Sequence, residues 1–445
     1  MNSQLSEQQS RSSEANLTAS LATDPARLTS AQKRAMLAAA LGTVVEYADW
    51  VIYAMFAALF SPHFFPSDDA TASLLSSLAV FAVGFVMRPV GGAVLGSYSD
   101  RFGRKKGMTL SISLMACASL VIAVCPGYDA IGIWASLILV AARLVQGFSS
   151  GGEFGSASAF LVEMGPAERR GFAGSLQHLA GNGGGLVAAL IGFLLTSLFS
   201  QQEMAAWGWR IGFAIAGLLG GVVLWMRLAV DETAAFRRSA QGHEKRQPLR
   251  AVLRDHPKAA LLVIGISMAG TLVNYLWLVH FPTYVHTKAG VSLRDAFGAS
   301  LIALIVSLIV IPCVGALSDR IGRRPILLVF AAGSMVFAGP SLALLSGNFW
   351  VDTAILVIGV VLSCGYSGTC VAVMAEQFPA TVRATGISLP YSISVTVFGG
   401  SLPYIMTALE HAGLSQAVWA YIALICFGSF VVFACMRETR GKPLD

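Results

Sequence analysis

The chain has 445 residues, of which 55% are hydrophobic and only 12% charged, about half the charged share of an ordinary soluble domain. Apolar runs of about 20 residues, long enough to cross a bilayer as a helix, recur along nearly the whole length, and the charged helix faces that a soluble protein needs are missing. A helix bonds its backbone groups within its own segment, as lipid requires, and runs of this length suit helices rather than strands, so the expected class is all-α and membrane-integral.

Residues 1–34 are polar, rich in Ser, Gln and Ala, and without a cleavable signal pattern. They read as a disordered cytoplasmic tail ahead of an uncleaved first span. Twelve spans are predicted, roughly at 35–60, 72–97, 107–125, 131–163, 171–199, 209–227, 259–285, 295–317, 326–345, 352–374, 385–409 and 416–436. In span 1, "VEYADWVIY" puts Glu46, Asp49 and Tyr53 on one helical face. Span 2 holds Arg88 in "GFVMRPVGG" and runs into a charged hinge, "GSYSDRFGRKKG", at 96–107. Span 4 aligns Arg143, Gln146, Ser150 and Glu153 beside Gly147, Gly151 and Gly152, small residues that let helices approach closely. Span 6 opens with "WGWR"; Arg210 there is either an interfacial snorkelling cation or an outer recruitment site for anions. A charged linker, 228–258, separates residues 35–227 from residues 259–436.

The second set of spans has no mid-span charge. It offers Asn274, Tyr275, Trp277 and His280 in span 7, Tyr366 in span 10 and Tyr391 in span 11. Asn274 and Tyr275 lie deepest and are the candidates for substrate contact, whereas His280 reads as packing. Gly399, Gly400 and Pro403 can soften span 11. Residues 437–445 form a second short tail. The seven cysteines lie in or beside apolar runs at no disulfide or metal spacing, so no metal site is expected.

With both termini placed in the cytoplasm, 25 of the 30 Lys and Arg fall on the inner side and three on the outer, with Arg88 and Arg143 inside spans. The net charge of +6 therefore reflects orientation, not nucleic-acid binding. The hinge recurs as "GALSDRIGRRP" at 315–325, Asp100 matching Asp319 and Arg104 matching Arg323. Glu163, Pro166 and Arg170 in "EMGPAERRG" are echoed by Glu376, Pro379 and Arg383 in "EQFPATVRATG", each offset by 213. "DET" at 231–233 and "RET" at 437–439 close the two sets. The chain thus reads as two six-helix halves in parallel orientation, an arrangement that suits a transporter with a midplane site between them. The hinges, through Asp100, Arg101, Arg104, Asp319, Arg320 and Arg323, suit a breakable charge lock that gates the inner face.

The hinge pattern G-x-x-x-D-R-x-G-R-K/R, present twice, resembles the signature loop of the major facilitator superfamily, and "RLVQGFSSG" resembles its span-4 motif. The stretches "VEYADWVIY", "GFVMRPVGG", "RLVQGFSSGGEFG", "WGWRIGF", "DETAAF" and "AEQFPATVRATG" together resemble the metabolite:proton symporters, whose members carry 2-oxoglutarate, citrate, shikimate, aromatic acids and proline or betaine. The likeness covers about 35–440. Ala48 replaces an aromatic residue common in span 1 of that group. The long C-terminal coiled coil of its osmosensing branch has no counterpart in the residues after span 12. "GNGGGLVAA" in span 5 lacks the proline of exchangers, which favours symport.

The resemblance implies the major facilitator fold and proton-coupled uptake of a small organic acid across the cytoplasmic (inner) membrane by alternating access. Ionisable groups inside spans are costly and mark either function or paired ion bridges that fix helix packing, a choice left open for Glu153 and Arg143. Glu46, Asp49 or Glu153 would carry the proton, three acids facing two bases if they share a pocket. Arg88 or Arg143 would take the carboxylate, with Tyr53, Gln146, Asn274, Tyr275 and Tyr391 shaping the site. The expected partners are an anionic small molecule and the bilayer, the expected state a monomer, and no cofactor beyond the co-transported proton is called for. A proline/betaine-type or aromatic-acid symporter and an exporter or exchanger are the alternatives. A non-transporting sensor lacks a signalling domain, and an enzyme lacks a catalytic constellation.

Overall fold

The computed structural model describes residues 29–445 apart from 68–69, 234–235, 238–246, 403–404, 407–408, 410–411, 413, 443 and 445. The disorder expected for the first residues, and the softening role expected of Pro403, lie outside it.

Twelve helices correspond to the expected spans: α1 Ser30–Phe64, α2 Ala70–Phe102, α3 Arg104–Val124, α4 Ile133–Met164, α5 Arg170–Leu198, α6 Trp209–Leu228, α7 Pro257–Tyr275, α8 Leu293–Ile321, α9 Arg323–Ala343, α10 Phe349–Ser367, α11 Arg383–Ser394 and α12 Ser415–Cys435. Among the described residues eleven helical segments are long and apolar enough to cross a membrane. The remaining span is α11, continued by a π turn at Val395–Gly399. Span 7 also passes through a π turn, Leu276–His280, into a further helix, Phe281–Ala289. Such single π turns interrupt the regular ladder and are common at functional sites.

Two boundaries differ from expectation. Helix α1 starts at Ser30, inside the residues expected to be a loose tail. Thr29 accepts the Gln32 N–H while the Gln32 side chain accepts the Thr29 N–H, a reciprocal cap that satisfies two orphan donors. The hinges are also tighter than a twelve-residue turn. Helix α2 continues to Phe102 and α8 to Ile321, leaving one residue, Gly103 or Gly322, as the break. Their φ values of 117° and 101° are ones that L side chains rarely adopt.

In the first half α2 packs on α4, α3 on α4 and α6, and α1 on α5. In the second, α9 packs on α12 and α8 on α10. The halves meet along two seams, α5 against α8 and α2 against α11, with α4 also touching α11. Small residues make this possible. A Cβ on Gly91 would stand 1.8 Å from the Phe148 carbonyl, and one on Gly151 would stand 1.9 Å from the Arg88 carbonyl. Helix α4 can therefore lie directly on the backbone that carries Arg88.

Candidate functional site

Each membrane-embedded acid has its own arginine. Asp49 of α1 accepts from Ser119 of α3 at 2.6 Å, from the Gln146 amide of α4 at 2.9 Å, and from Arg143 at 3.5 Å. The Arg143 guanidinium lies 3.6 Å from the Tyr53 ring centroid, and Tyr53 donates to the Ser77 carbonyl. All four of Asp49, Tyr53, Arg143 and Gln146 are fully enclosed within the first half. Glu153 is paired with Arg227 of α6, whose guanidinium also donates to the carbonyls of Ala38, Ala39 and Met108. This corrects the count of three acids against two bases. Arg227 sits at the start of what the sequence offers as a basic linker, yet it is 1% exposed and joins α1, α3, α4 and α6.

The third pair is looser. The Arg88 guanidinium approaches Glu46 at 3.8 Å, a distance at which charges attract but no hydrogen bond forms. The Ser150 hydroxyl donates to Glu46, and among the described residues the Arg88 Nε has no hydrogen-bond partner. Arg88 lies over Trp50 and Phe85 at 5.7 and 5.6 Å and within electrostatic reach of Tyr47, Tyr275 and Tyr391. Tyr275 and Tyr391 belong to the second half, so this cluster alone among the three pairs is shared between halves. Tyr391 stacks on Phe154 at 3.6 Å between centroids. Asn274 is half-buried on α7 beside Tyr275. Tyr47 was not among the sequence candidates, although its hydroxyl faces both Arg88 and Tyr391. A helical residue next to Glu46 points about 100° away from it, which turns Tyr47 out of the acid-bearing face and toward the other half. Arg210 donates to the carbonyls of Ala123 and Cys125 and covers Trp209, so its donors serve the end of α3.

The face that carries the hinges is closed. Asp100 accepts the N–H groups of Ala384 and Thr385 at 3.1 and 2.8 Å and the Thr385 hydroxyl at 2.6 Å, capping α11 from the opposite half. Arg104 bonds Asp100 at 2.6 Å and Glu163 at 3.3 Å, and Arg383 crosses the seam to Glu163 at 2.7 Å. At the other seam Asp319 accepts the N–H groups of Gly171 and Phe172 at 2.8 and 3.0 Å, while Arg323 bonds Asp319 and Glu376. The repeat is incomplete there. Arg170, the counterpart of Arg383, donates to the backbone carbonyl of Lys442 in the C-terminal tail, and among the described residues no ion pair joins it to Glu376. Arg101 and Arg320 point outward and are exposed. Glu232 and Glu438, unassigned by the motif reading, accept the first N–H groups of α3 and α9.

Deeper in the seams, Asn182 donates to Ser307, Thr396 donates to the Phe85 carbonyl, and His178 meets Cys370 at 3.2 Å. Among the described residues no three His, Cys, Asp or Glu side chains are placed to hold a metal.

The Major Facilitator Superfamily model matches residues 39–394. The alpha-ketoglutarate permease of Escherichia coli K12 is 35% identical over 96% of this chain and 99% of its own length. The citrate-proton symporter of Klebsiella pneumoniae is 34% identical, covering 88% of this chain and 89% of its own. The proline/betaine transporter of E. coli K12 is 31% identical, covering 93% and 85%. The proton:xylose symporter XylE, solved with 6-bromo-6-deoxy-D-glucose, superposes with a TM-score of 0.77 over 93% of this chain and 98% of its own at 17% identity, a likeness of fold. A bundle of membrane-spanning helices in two halves, with relatives that are transporters rather than enzymes, is a multi-pass secondary transporter, and the chain belongs to the metabolite:proton symporter family of the major facilitator superfamily.

Proposed function

We propose that this protein couples inward proton movement to uptake of a small carboxylate across the cytoplasmic membrane, as a monomer with its hinge face and both termini in the cytoplasm. Arg88 is the carboxylate anchor and Glu46 the proton carrier. Asp49, held by Ser119, Gln146 and Arg143, and Glu153, paired with Arg227, hold the first half together. Arg143, Tyr53 and Gln146 support Asp49 rather than the substrate. Orientation rests on the positive-inside distribution of the loop cations.

The observation that carries this reading is the Glu46–Arg88 pair, close enough to neutralise and too far apart to bond. With Glu46 ionised, Arg88 is compensated in place. When Glu46 takes a proton, the guanidinium is left as an unbalanced charge in a low-dielectric setting, which is strongly unfavourable. A substrate carboxylate restores the balance. Proton and anion therefore favour each other's binding, which is the reciprocal coupling symport requires. The relatives named for alpha-ketoglutarate and for citrate with a proton support the same class of cargo.

The test is radiolabelled uptake into proteoliposomes holding the full chain, with and without an imposed inward proton gradient. Accumulation of a carboxylate that collapses with an uncoupler is expected. Equal uptake with the gradient dissipated would remove the proton from the mechanism, and loss of label from preloaded vesicles alone would indicate export.

A further inference from the structure

The Arg88 cluster also constrains the net charge and shape of its cargo; this step rests on the carboxylate reading above. The charged groups within reach of Glu46 are Arg88, Glu153 and Arg227, with the Tyr47 hydroxyl beside them. Glu153 and Arg227 cancel each other, as do Asp49 and Arg143. His178, which packs on Phe154, has its Nε2 against the Cys370 thiol and its ring also against Tyr366. One cation, Arg88, is thus left for cargo among the described residues.

With Glu46 protonated, a cargo bearing one negative charge makes the site neutral. A dicarboxylate leaves one excess negative charge with no cation to meet it. A zwitterion leaves Arg88 in excess, unless Glu46 stays ionised and no proton travels. Unbalanced charges in a dry site are disfavoured far more than any hydrogen bond compensates. Around Arg88 the contacts are rings. Trp50 and Phe85 pack at 4.8 Å, Phe85 meets Tyr275 at 6.3 Å, and Tyr47 and Tyr391 stand opposite. The faces of Trp50 and Phe85 already carry the guanidinium, which occupies the place a quaternary ammonium would need. Among the described residues the buried Trp50 indole N–H has no partner, and it offers one donor to a hydroxyl or keto oxygen. The Trp50–Phe85 and Phe85–Tyr275 rings meet tilted or edge-on, at 58° and 72°, and ring edges favour the flat face of an unsaturated body over a branched saturated one.

We infer that the cargo is a net monoanion: a single carboxylate, seated on Arg88, on a planar unsaturated body carrying one hydrogen-bond acceptor within reach of Trp50.

The experiment uses proteoliposomes of the full chain and radiolabelled 4-hydroxybenzoate as the planar probe, with 2-oxoglutarate, citrate, glycine betaine and cyclohexanecarboxylate as competitors. Proton-driven accumulation of the probe is expected. Each competitor should need at least about 30-fold higher concentration than unlabelled probe to halve uptake, and Trp50→Phe should raise the half-saturating concentration several-fold while leaving the dependence on the gradient intact. Proton-driven uptake of 2-oxoglutarate or citrate with 4-hydroxybenzoate inert would overturn the inference and leave carboxylate symport standing. Preferred uptake of betaine, or equal competition by cyclohexanecarboxylate, would overturn it as well. Transport of none of these, in vesicles where circular dichroism verifies a folded chain, would overturn both.

Discussion

Arg88 and Arg143 are both guanidiniums inside membrane-spanning helices, and their surroundings differ. Arg143 is sealed by Asp49, Tyr53 and Trp50. Asp49→Asn should leave that charge unpaired and destabilise the protein by about 3–5 kcal/mol, seen as a large fall in thermal midpoint in detergent. Glu46→Gln likewise leaves Arg88 without its counter-charge, so it too should lower the thermal midpoint, a loss that a bound carboxylate offsets. Its signature is functional: counterflow exchange of substrate persists, while accumulation driven by a proton gradient is lost. If Glu46→Gln still concentrates substrate with the gradient, another acid carries the proton. The sequence exposed this chemistry unevenly. Glu46, Asp49, Arg88, Arg143 and Glu153 stand out as charges within apolar runs. Arg227 does not, because it is the last turn of a span adjoining a basic linker, and only the fold shows that its side chain turns inward to Glu153. Tyr47 is hidden for another reason: a tyrosine in an aromatic-rich span carries no signal until the facing half is in place.

At the scale of helices, spacing and small residues were informative and helix phase was not. The twelve spans and both hinges follow from local pattern. Within each hinge, Arg101 and Arg104 are indistinguishable in type, yet one is exposed and the other buried between Asp100 and Glu163. The contact of α2 with α4 is tested by adding one methyl group. Gly91→Ala puts a Cβ on a carbonyl of α4, and overpacking of this kind costs about 1–3 kcal/mol or more. It should lower both thermal stability and the yield of folded protein. Gly221→Ala is the matched control, since a Cβ there meets nothing within 4 Å. It should be neutral or stabilising by about 0.5–1 kcal/mol through chain entropy alone. A similar loss in both variants would mean that the packing account is wrong.

For the whole molecule, the closed hinge face depends on carboxylates that cap helices, and this makes it acid-sensitive. Burial raises the Glu438 carboxyl, but the N–H groups of Arg323, Arg440, Arg324 and Thr439 outweigh it and hold the group below its ordinary value of 4.5. A carboxylate depressed on folding contributes stability that is complete above the unfolded value and is lost as pH falls through the folded one. The thermal midpoint should therefore drop as pH falls below about 4.5, with a shallower acid limb in Glu438→Gln; identical limbs would exclude Glu438 as a contributor. The seam itself can be followed through Cys370, which is fully buried between the halves. In a chain retaining Cys370 as its single cysteine, Arg383→Ala should speed maleimide labelling by roughly tenfold, the effect of removing an interaction of about 1.4 kcal/mol, and Arg170→Ala should speed it less. Equal acceleration would mean that the two seams are equivalent.

That difference between seams bears on how the molecule shuts. Both keep an aspartate on a helix end, but among the described residues only α2–α11 adds a direct pair of opposite charges, Arg383 and Glu163. Coulomb attraction still guides charges together across several ångströms, whereas a hydrogen bond to a carbonyl, such as Arg170 makes with the tail, fades within about one ångström of its ideal length. In the proposed alternating cycle, that attraction would draw the α2–α11 edge in before α5–α8 settles. A chain built by near-duplication would then close with a leading edge and a trailing edge.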